Sequence, residues 1–98
     1  METKERLDGK TLHITGTGKF VFQDHGRMQH VLNFIANHKI QTVEFDFKDV
    51  VFIDSAAIGM LLIINEKAKL TVTNVSGQVK RVLDVVNAQK LFTIITEV

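Results

Sequence analysis

The chain contains no cysteine, no proline, no tryptophan and no tyrosine. Without cysteine it can form no disulfide, offer no thiolate nucleophile and bind no metal through sulfur. Its 12 lysine and arginine residues nearly balance 11 aspartate and glutamate residues, which leaves a net charge of +1. Because the basic residues are scattered and form no stripe, we expect no nucleic-acid partner.

Long hydrophobic runs are also missing. The longest stretch without a polar side chain, residues 56–64, is far shorter than the roughly 20 residues that a membrane-spanning helix needs. The polar start, METKERLDGK, is unlike a secretory signal. We therefore expect a cytoplasmic protein without direct membrane insertion, and at 98 residues a single domain over residues 1–98.

Strand-like and helix-like segments alternate along the chain, which predicts an α/β fold with parallel strand pairs. Strands are expected at residues 10–20, 42–53, 70–75 and 91–98, the last at an edge, and helices at 23–38, 55–69 and 77–87. We expect the VVFI run at the end of the second of these strands to be buried. Asp24 and Ser76 occupy N-cap positions of two helices.

Enzymatic and metal-binding patterns are weak. The spacing of the four histidines, His13, His25, His30 and His38, does not fit a zinc motif, so we interpret them as solvated surface residues. The segment Gly16–Gly18 lacks the third glycine of a phosphate-binding loop, which favours a bend where the chain leaves the sheet. Neither serine lies in a nucleophile elbow. We expect no enzymatic activity, no metal and no cofactor.

The most informative segment is FIDSAAIGMLL, residues 52–62. Asp54 and Ser55 precede an apolar helix, where an aspartate or a serine can act as the N-cap and contribute about 1 kcal/mol. The helical period places one set of side chains against the sheet: Ala57, Met60, Leu61, Ile64 and Ala68. It places Ile58, Gly59 and Leu62 beside Ser55 on the outside, which predicts an apolar docking surface with a hydroxyl at its edge.

Phosphorylation of Ser55 would suit this position. The free N–H groups and the dipole of a helix N-terminus favour an anion, and a phosphate adds about −1.5 to −2 charges. If burial of that charge in a complex costs about 3 kcal/mol, the affinity falls roughly a hundredfold. The pattern is therefore compatible with a helix cap and with a binding switch.

Two longer segments resemble the STAS domain of the anti-sigma-factor-antagonist type. The first, VEFDFKDVVFIDSAAIGMLL, carries one hallmark of that family, an Asp-Ser dipeptide that follows an apolar strand and opens a helix. The second, LTVTNVSGQVKRVLDVVNAQKLFTI, carries the other hallmark, a helix followed by a short apolar segment before the last strand. Its matching residues are Val75, Ser76, Val79, Leu83, Leu91, Phe92 and Ile94. The resemblance implies a STAS-like fold, which is a mixed sheet of four to five strands with helices packed on it.

The same resemblance implies a partner-switching regulator. Ser55 would be phosphorylated by a serine kinase that is also an anti-sigma factor, with Asp54 positioning the serine, and Asp54, Ser55, Ile58, Gly59 and Leu62 would contact that partner. ATP and Mg²⁺ would belong to the kinase. A PP2C-like phosphatase, such as one carried by a response regulator, would remove the phosphate and restore the unphosphorylated form. The controlled output would be transcription, motility, secretion or a biofilm programme.

Some lone STAS domains are instead subunits of lipid-transporting ABC complexes and are not phosphorylated, which gives an alternative function. The sequence also departs from the family pattern. Ala57 replaces a usual glycine and Ile58 the following leucine, whereas Gly59 is kept, and GTGKFVF stands where the family has Gly-Glu-Leu-Asp. We expect the first edge strand to be reduced to residues 5–7 or missing.

Overall fold

The computed structural model describes residues 1–96. Its five strands are β1 (Glu2–Asp8), β2 (Thr11–Phe20), β3 (Thr42–Ile53), β4 (Lys69–Val75) and β5 (Thr93–Thr96). The three α-helices are α1 (His25–His38), α2 (Ser55–Lys67) and α3 (Gly77–Val85), and 3₁₀ turns lie at Phe22–Asp24 and Ala88–Lys90. The predicted α/β class is confirmed; residues 97 and 98 of the predicted last strand lie outside the described residues.

The strands form one mixed sheet in the order β1-β2-β3-β4-β5. β1 is antiparallel to β2, and the other neighbouring pairs are parallel. Each helix connects two adjacent parallel strands, and the right-handed crossover rule places all three helices on the same face of the sheet. Within residues 1–96, no helix has the length and apolar character needed to cross a membrane.

The core lies between this helical layer and the sheet. On β3 the side chains of Val43, Phe45 and Phe47 are buried. The side chains that alternate with them point to the opposite face of the sheet and are partly exposed. The rings of Phe45 and Phe47 meet edge to face with centroids 4.8 Å apart. The helices add buried side chains above them: Met28, Val31 and Ile35 from α1, Ala57, Ile58, Leu61 and Ile64 from α2, and Val79 and Leu83 from α3.

The expectation of a reduced or missing first strand is wrong. β1 pairs with β2 along its whole length, from Glu2 opposite Thr17 to Asp8 opposite Thr11. The strand carries charged residues of both signs at Glu2, Lys4, Glu5, Arg6 and Asp8. Such residues let a strand stay at a sheet edge without pairing with another chain, so the mixed charges of β1 suit its place at the edge.

The glycine-rich segment of β2 is also different from the expectation. The strand does not end there but continues to Phe20, with irregular register on either side of Thr17 and Gly18. Gly18 has φ +101°, which side chains rarely tolerate. A Cβ on Gly16 would approach Val50 Cγ2 at 3.1 Å and Phe45 Cε1 at 3.2 Å. The glycines therefore provide bulges and close packing inside the strand.

Two helix caps differ from those predicted. Asp24 and Ser76 occupy the N-cap positions of α1 and α3, but neither side chain makes a capping hydrogen bond within the described residues. The buried Asp24 instead accepts from the amino group of Met1 at 3.0 Å and from the backbone N–H of Val21 at 2.9 Å. It fastens the first strand to the turn that precedes α1.

Candidate functional site

The candidate site lies at the carboxyl end of β3, where the chain passes from Ile53 through Asp54 into α2. Ile53 is paired with Phe20 at the end of β2, and its side chain is only 1% exposed. The backbone N–H of Asp54 donates to the carbonyl of Phe20 over 3.4 Å. The segment that precedes Ser55 is therefore anchored in the core and in the sheet.

Asp54 is the N-cap of α2. Its Oδ1 accepts from the backbone N–H of Ala57 at 2.9 Å, which satisfies one of the free donors of the first helical turn. Its Oδ2 accepts from the backbone N–H of Phe22 at 3.1 Å. One carboxylate thus joins the start of α2 to the turn between β2 and α1, and both of its oxygens have a structural function.

Ser55 does not share this function. It is the first residue of α2, its side chain is exposed, and among residues 1–96 its hydroxyl makes no hydrogen bond. Of the two residues that the sequence offered as the cap of α2, Asp54 therefore occupies the position and Ser55 does not. The consequence is an unengaged hydroxyl at the positive end of a 13-residue helix.

The other residues expected to contact a partner lie on the same helix, but not all of them are accessible. Gly59 and Leu62 are partly exposed. Ile58, expected on the outside, is only 9% exposed and belongs to the core, since it lies three residues before the fully buried Leu61 and residues three apart share a helix face. Ile63, which the sequence reasoning missed, is 44% exposed. We call Ser55, Gly59, Leu62 and Ile63 the exposed strip of α2.

Gly59 leaves the backbone of α2 uncovered in the middle of this strip. A Cβ built on it would have no heavy atom within 4 Å, apart from its immediate chain neighbours and the local helix backbone. Its φ is not in the positive range that favours glycine. Neither packing nor backbone conformation therefore requires a glycine, although glycine costs about 1 kcal/mol in a helix interior relative to alanine.

Other exposed apolar residues lie near Asp54, either in sequence or through a hydrogen bond. Phe22 is 61% exposed, and its backbone is bonded to the Asp54 carboxylate. Val51 and Phe52 are 65% and 38% exposed, so the expectation that the whole VVFI run is buried is wrong. The register with β2 shifts here, because Gly18 lies opposite Val50 and Lys19 opposite Phe52, so Val51 is an extra residue in β3. This bulge interrupts the alternation and leaves two successive side chains exposed between the buried Val50 and Ile53.

The histidines and carboxylates elsewhere do not form a second centre of this kind. His13 Nδ1 lies 2.9 Å from Glu44 Oε2 on the sheet face opposite the helices, in a shallow groove of about 320 Å³. His25 and His38 are exposed and stack on Phe22 and Phe34. Within residues 1–96, no group of three histidine or acidic side chains is arranged to hold a metal ion.

Comparisons with known proteins agree with this architecture. The family model described as "STAS domain" matches residues 3–98. A STAS-domain containing protein from Pseudomonas aeruginosa is 30% identical over 92 residues, which cover 89% of this chain and 90% of the relative.

Two solved structures show the same fold at low sequence identity. An anti-sigma factor antagonist from Mycobacterium paratuberculosis superposes with a TM-score of 0.84 at 13% identity, covering 99% of this chain and 86% of that one. The Bacillus cell fate determinant SpoIIAA, in its phosphorylated form, superposes with a TM-score of 0.72 at 14% identity, covering 98% and 93% of the two chains.

Proposed function

The chain belongs to the STAS domain family, and from that premise we propose that it is a phosphorylation-controlled partner-switching regulator of the anti-sigma factor antagonist type. With Ser55 unphosphorylated it binds a partner that is both a serine kinase and an anti-sigma factor. Phosphorylation of Ser55 releases that partner, and a PP2C-like phosphatase restores binding. The protein itself is not an enzyme, acts in the cytoplasm and needs no cofactor, since ATP and Mg²⁺ belong to the kinase.

The observation that carries this proposal is the free, exposed hydroxyl of Ser55 at the start of α2. A kinase can transfer a phosphoryl group to it without breaking any hydrogen bond among residues 1–96, because Asp54 holds the capping position. The added charge of about −1.5 to −2 lies at the positive end of the helix dipole. Phosphorylation therefore leaves the folded monomer intact.

The complex is affected in the opposite way. The exposed strip of α2 offers a contact surface that includes Ser55, and Phe22, whose backbone is bonded to the Asp54 carboxylate, adds an exposed apolar side chain beside the cap. A partner that covers this surface must remove the phosphate from water and place it among apolar groups, which is costly for an unpaired charge. A penalty of about 3 kcal/mol lowers the affinity on the order of a hundredfold.

The structural relatives support the proposal. One of them is an anti-sigma factor antagonist, and another is known in a phosphorylated form. In the present chain the Asp54–Ser55 dipeptide lies at the end of the central strand of the same fold, immediately before a helix. The proposal assigns phosphorylation to this dipeptide in the present chain.

The test uses the purified protein with its cognate kinase and ATP, and the phosphate is located by mass spectrometry. Wild type is expected to gain one phosphate, Ser55→Ala none, and Ser55→Asp is expected to bind the kinase more weakly than wild type. Ser76→Ala is the matched control, because Ser76 is the only other serine in the chain and starts another helix. A Ser55→Ala protein that is still fully phosphorylated, or an unmodified wild type, would refute the proposal.

If the protein is instead a subunit of an ABC complex, the kinase experiment is expected to have a different outcome. A subunit of a lipid-transporting ABC complex is expected to copurify with an ATPase and membrane proteins and to remain unmodified in the presence of the kinase. Affinity purification of the protein from its own cells, followed by identification of the bound proteins, separates the two functions.

A further inference from the structure

The side chain of Gln78, near the start of α3, makes two hydrogen bonds to the backbone of a single residue, Ile53. The N–H of Ile53 donates to Gln78 Oε1 at 3.0 Å. Gln78 Nε2 donates in return to the carbonyl of Ile53 at 3.1 Å. A carboxamide carries one donor group and one acceptor, as a peptide group does, so this side chain imitates one residue of a neighbouring strand.

The sheet leaves a vacant place for such a group. The ladder between β3 and β4 runs only from Thr42 opposite Lys69 to Asp46 opposite Thr73. On the other side, β3 stays paired with β2 as far as Ile53. The N–H of Asp54 bonds to β2, and the backbone groups of successive residues in a strand point to opposite sides. The N–H and carbonyl of Ile53 therefore point to the other side of β3, beyond the end of its ladder with β4.

Without Gln78 these two partly buried backbone groups would have no partner within the described residues. Buried backbone groups that lose their hydrogen bonds are unfavourable, and the local structure shifts or opens to water to satisfy them. Ile53 is followed directly by Asp54 and Ser55. Any such shift would therefore move the helix cap and the serine together.

The hydroxyl of Ser55 has no hydrogen bond of its own among residues 1–96, so its position depends entirely on the backbone that carries it. That backbone is held at Asp54 by bonds to Ala57 and Phe22 and at Ile53 by Gln78. We propose that Gln78 is a positioning residue that holds the end of β3 so that the Ser55 hydroxyl is presented for phosphoryl transfer. This rests on the proposed function of Ser55 as the phosphoacceptor.

The test is Gln78→Met, which keeps the length of the side chain and removes both hydrogen bonds. The matched control is Gln89→Met, the same change at an exposed glutamine. With the cognate kinase, Gln78→Met is expected to lower kcat for Ser55 phosphorylation tenfold or more, since small displacements of a reacting group have large effects on rate. KM is expected to stay within about twofold, because the substitution removes no side chain of the exposed strip of α2.

A second measurement does not need the kinase. Backbone amide exchange at Ile53 is expected to become at least tenfold faster in Gln78→Met, whereas the control keeps the wild-type rate. Gln78→Asn, which retains the carboxamide on a shorter side chain, is expected to show the same two defects and serves if Gln78→Met fails to fold.

The results separate the two proposals. If wild type is phosphorylated on Ser55 and both folded variants react with unchanged kcat, the positioning function of Gln78 is refuted while the switch stands. Unchanged amide exchange at Ile53 refutes it as well. If wild type is not phosphorylated, the switch is refuted, and the exchange rate at Ile53 still decides whether Gln78 holds this segment.

Discussion

Replacing Gly59 by alanine tests whether the uncovered backbone of α2 is a contact surface. The added methyl group has open space around it, with no heavy atom within 4 Å beyond the local helix. Alanine is favoured over glycine in a helix interior by about 0.5–1 kcal/mol. The substitution is therefore expected to stabilise the isolated protein and to raise Tm by roughly 2–8 °C for a domain of this size.

The effect on the complex is expected to have the opposite sign. If a partner packs closely on the exposed strip of α2, a methyl group at its centre causes overpacking, for which about 1–3 kcal/mol is typical. At the middle of that range the affinity falls about thirtyfold. The measurements are thermal unfolding of the free protein and titration calorimetry with the unphosphorylated protein and its kinase partner.

Gly26→Ala provides the matched control. Gly26 lies in the first turn of α1, and a Cβ on it would also meet open space. It is expected to leave partner binding unchanged. The reasoning is refuted if Gly59→Ala binds as tightly as wild type, which would show that no partner approaches the backbone there. It is equally refuted if the substitution destabilises the free protein.

Four further substitutions test the fold around the site by chemical denaturation. Asp54→Ala removes two hydrogen bonds to backbone donors and is expected to lower the free energy of unfolding by about 2 kcal/mol; a loss below about 0.5 kcal/mol would contradict its function as the cap. Ile58→Ala is expected to cost about 2–4 kcal/mol because the side chain is buried, against about 1 kcal/mol or less for Leu62→Ala, and equal losses would refute that assignment. Gly16→Ala brings a methyl group to 3.1 Å from Val50 Cγ2 and is expected to destabilise by about 1–3 kcal/mol; unchanged stability would show that the strand relaxes without strain.

Periodicity predicted the elements that surround a single core. The alternation from Val43 to Phe47 and the helical spacing of Met28, Val31 and Ile35 are properties of short windows, and the structure confirms both. The start of α2 at Ser55 was also predictable, because a polar pair in front of a long apolar run is a local signal.

The misassignments depended on contacts between residues distant in sequence. The full length of β1 depends on its pairing with β2, and its mixed charges suit a strand at the edge. Ile58 and Leu62 are similar residues on one helix, and only the packing of that helix on the sheet decides which one is buried. The bonds from Gln78 to Ile53 join residues 25 positions apart, and no local pattern indicates them.

In the Asp-Ser dipeptide, one residue caps α2 and the other presents a free hydroxyl, and a single residue would perform both functions poorly. If the serine were the cap, its phosphorylation would disturb the hydrogen bond that starts α2, and the switch would reduce the stability of the protein. Here Asp54 holds the cap and Ser55 only presents its hydroxyl. The phosphate adds a negative charge beside the Asp54 carboxylate, but that carboxylate already accepts from two backbone donors, and the helix dipole favours both charges. Under the proposed function, phosphorylation of Ser55 therefore changes the free energy of binding while the free energy of unfolding stays nearly constant, as a reversible switch requires.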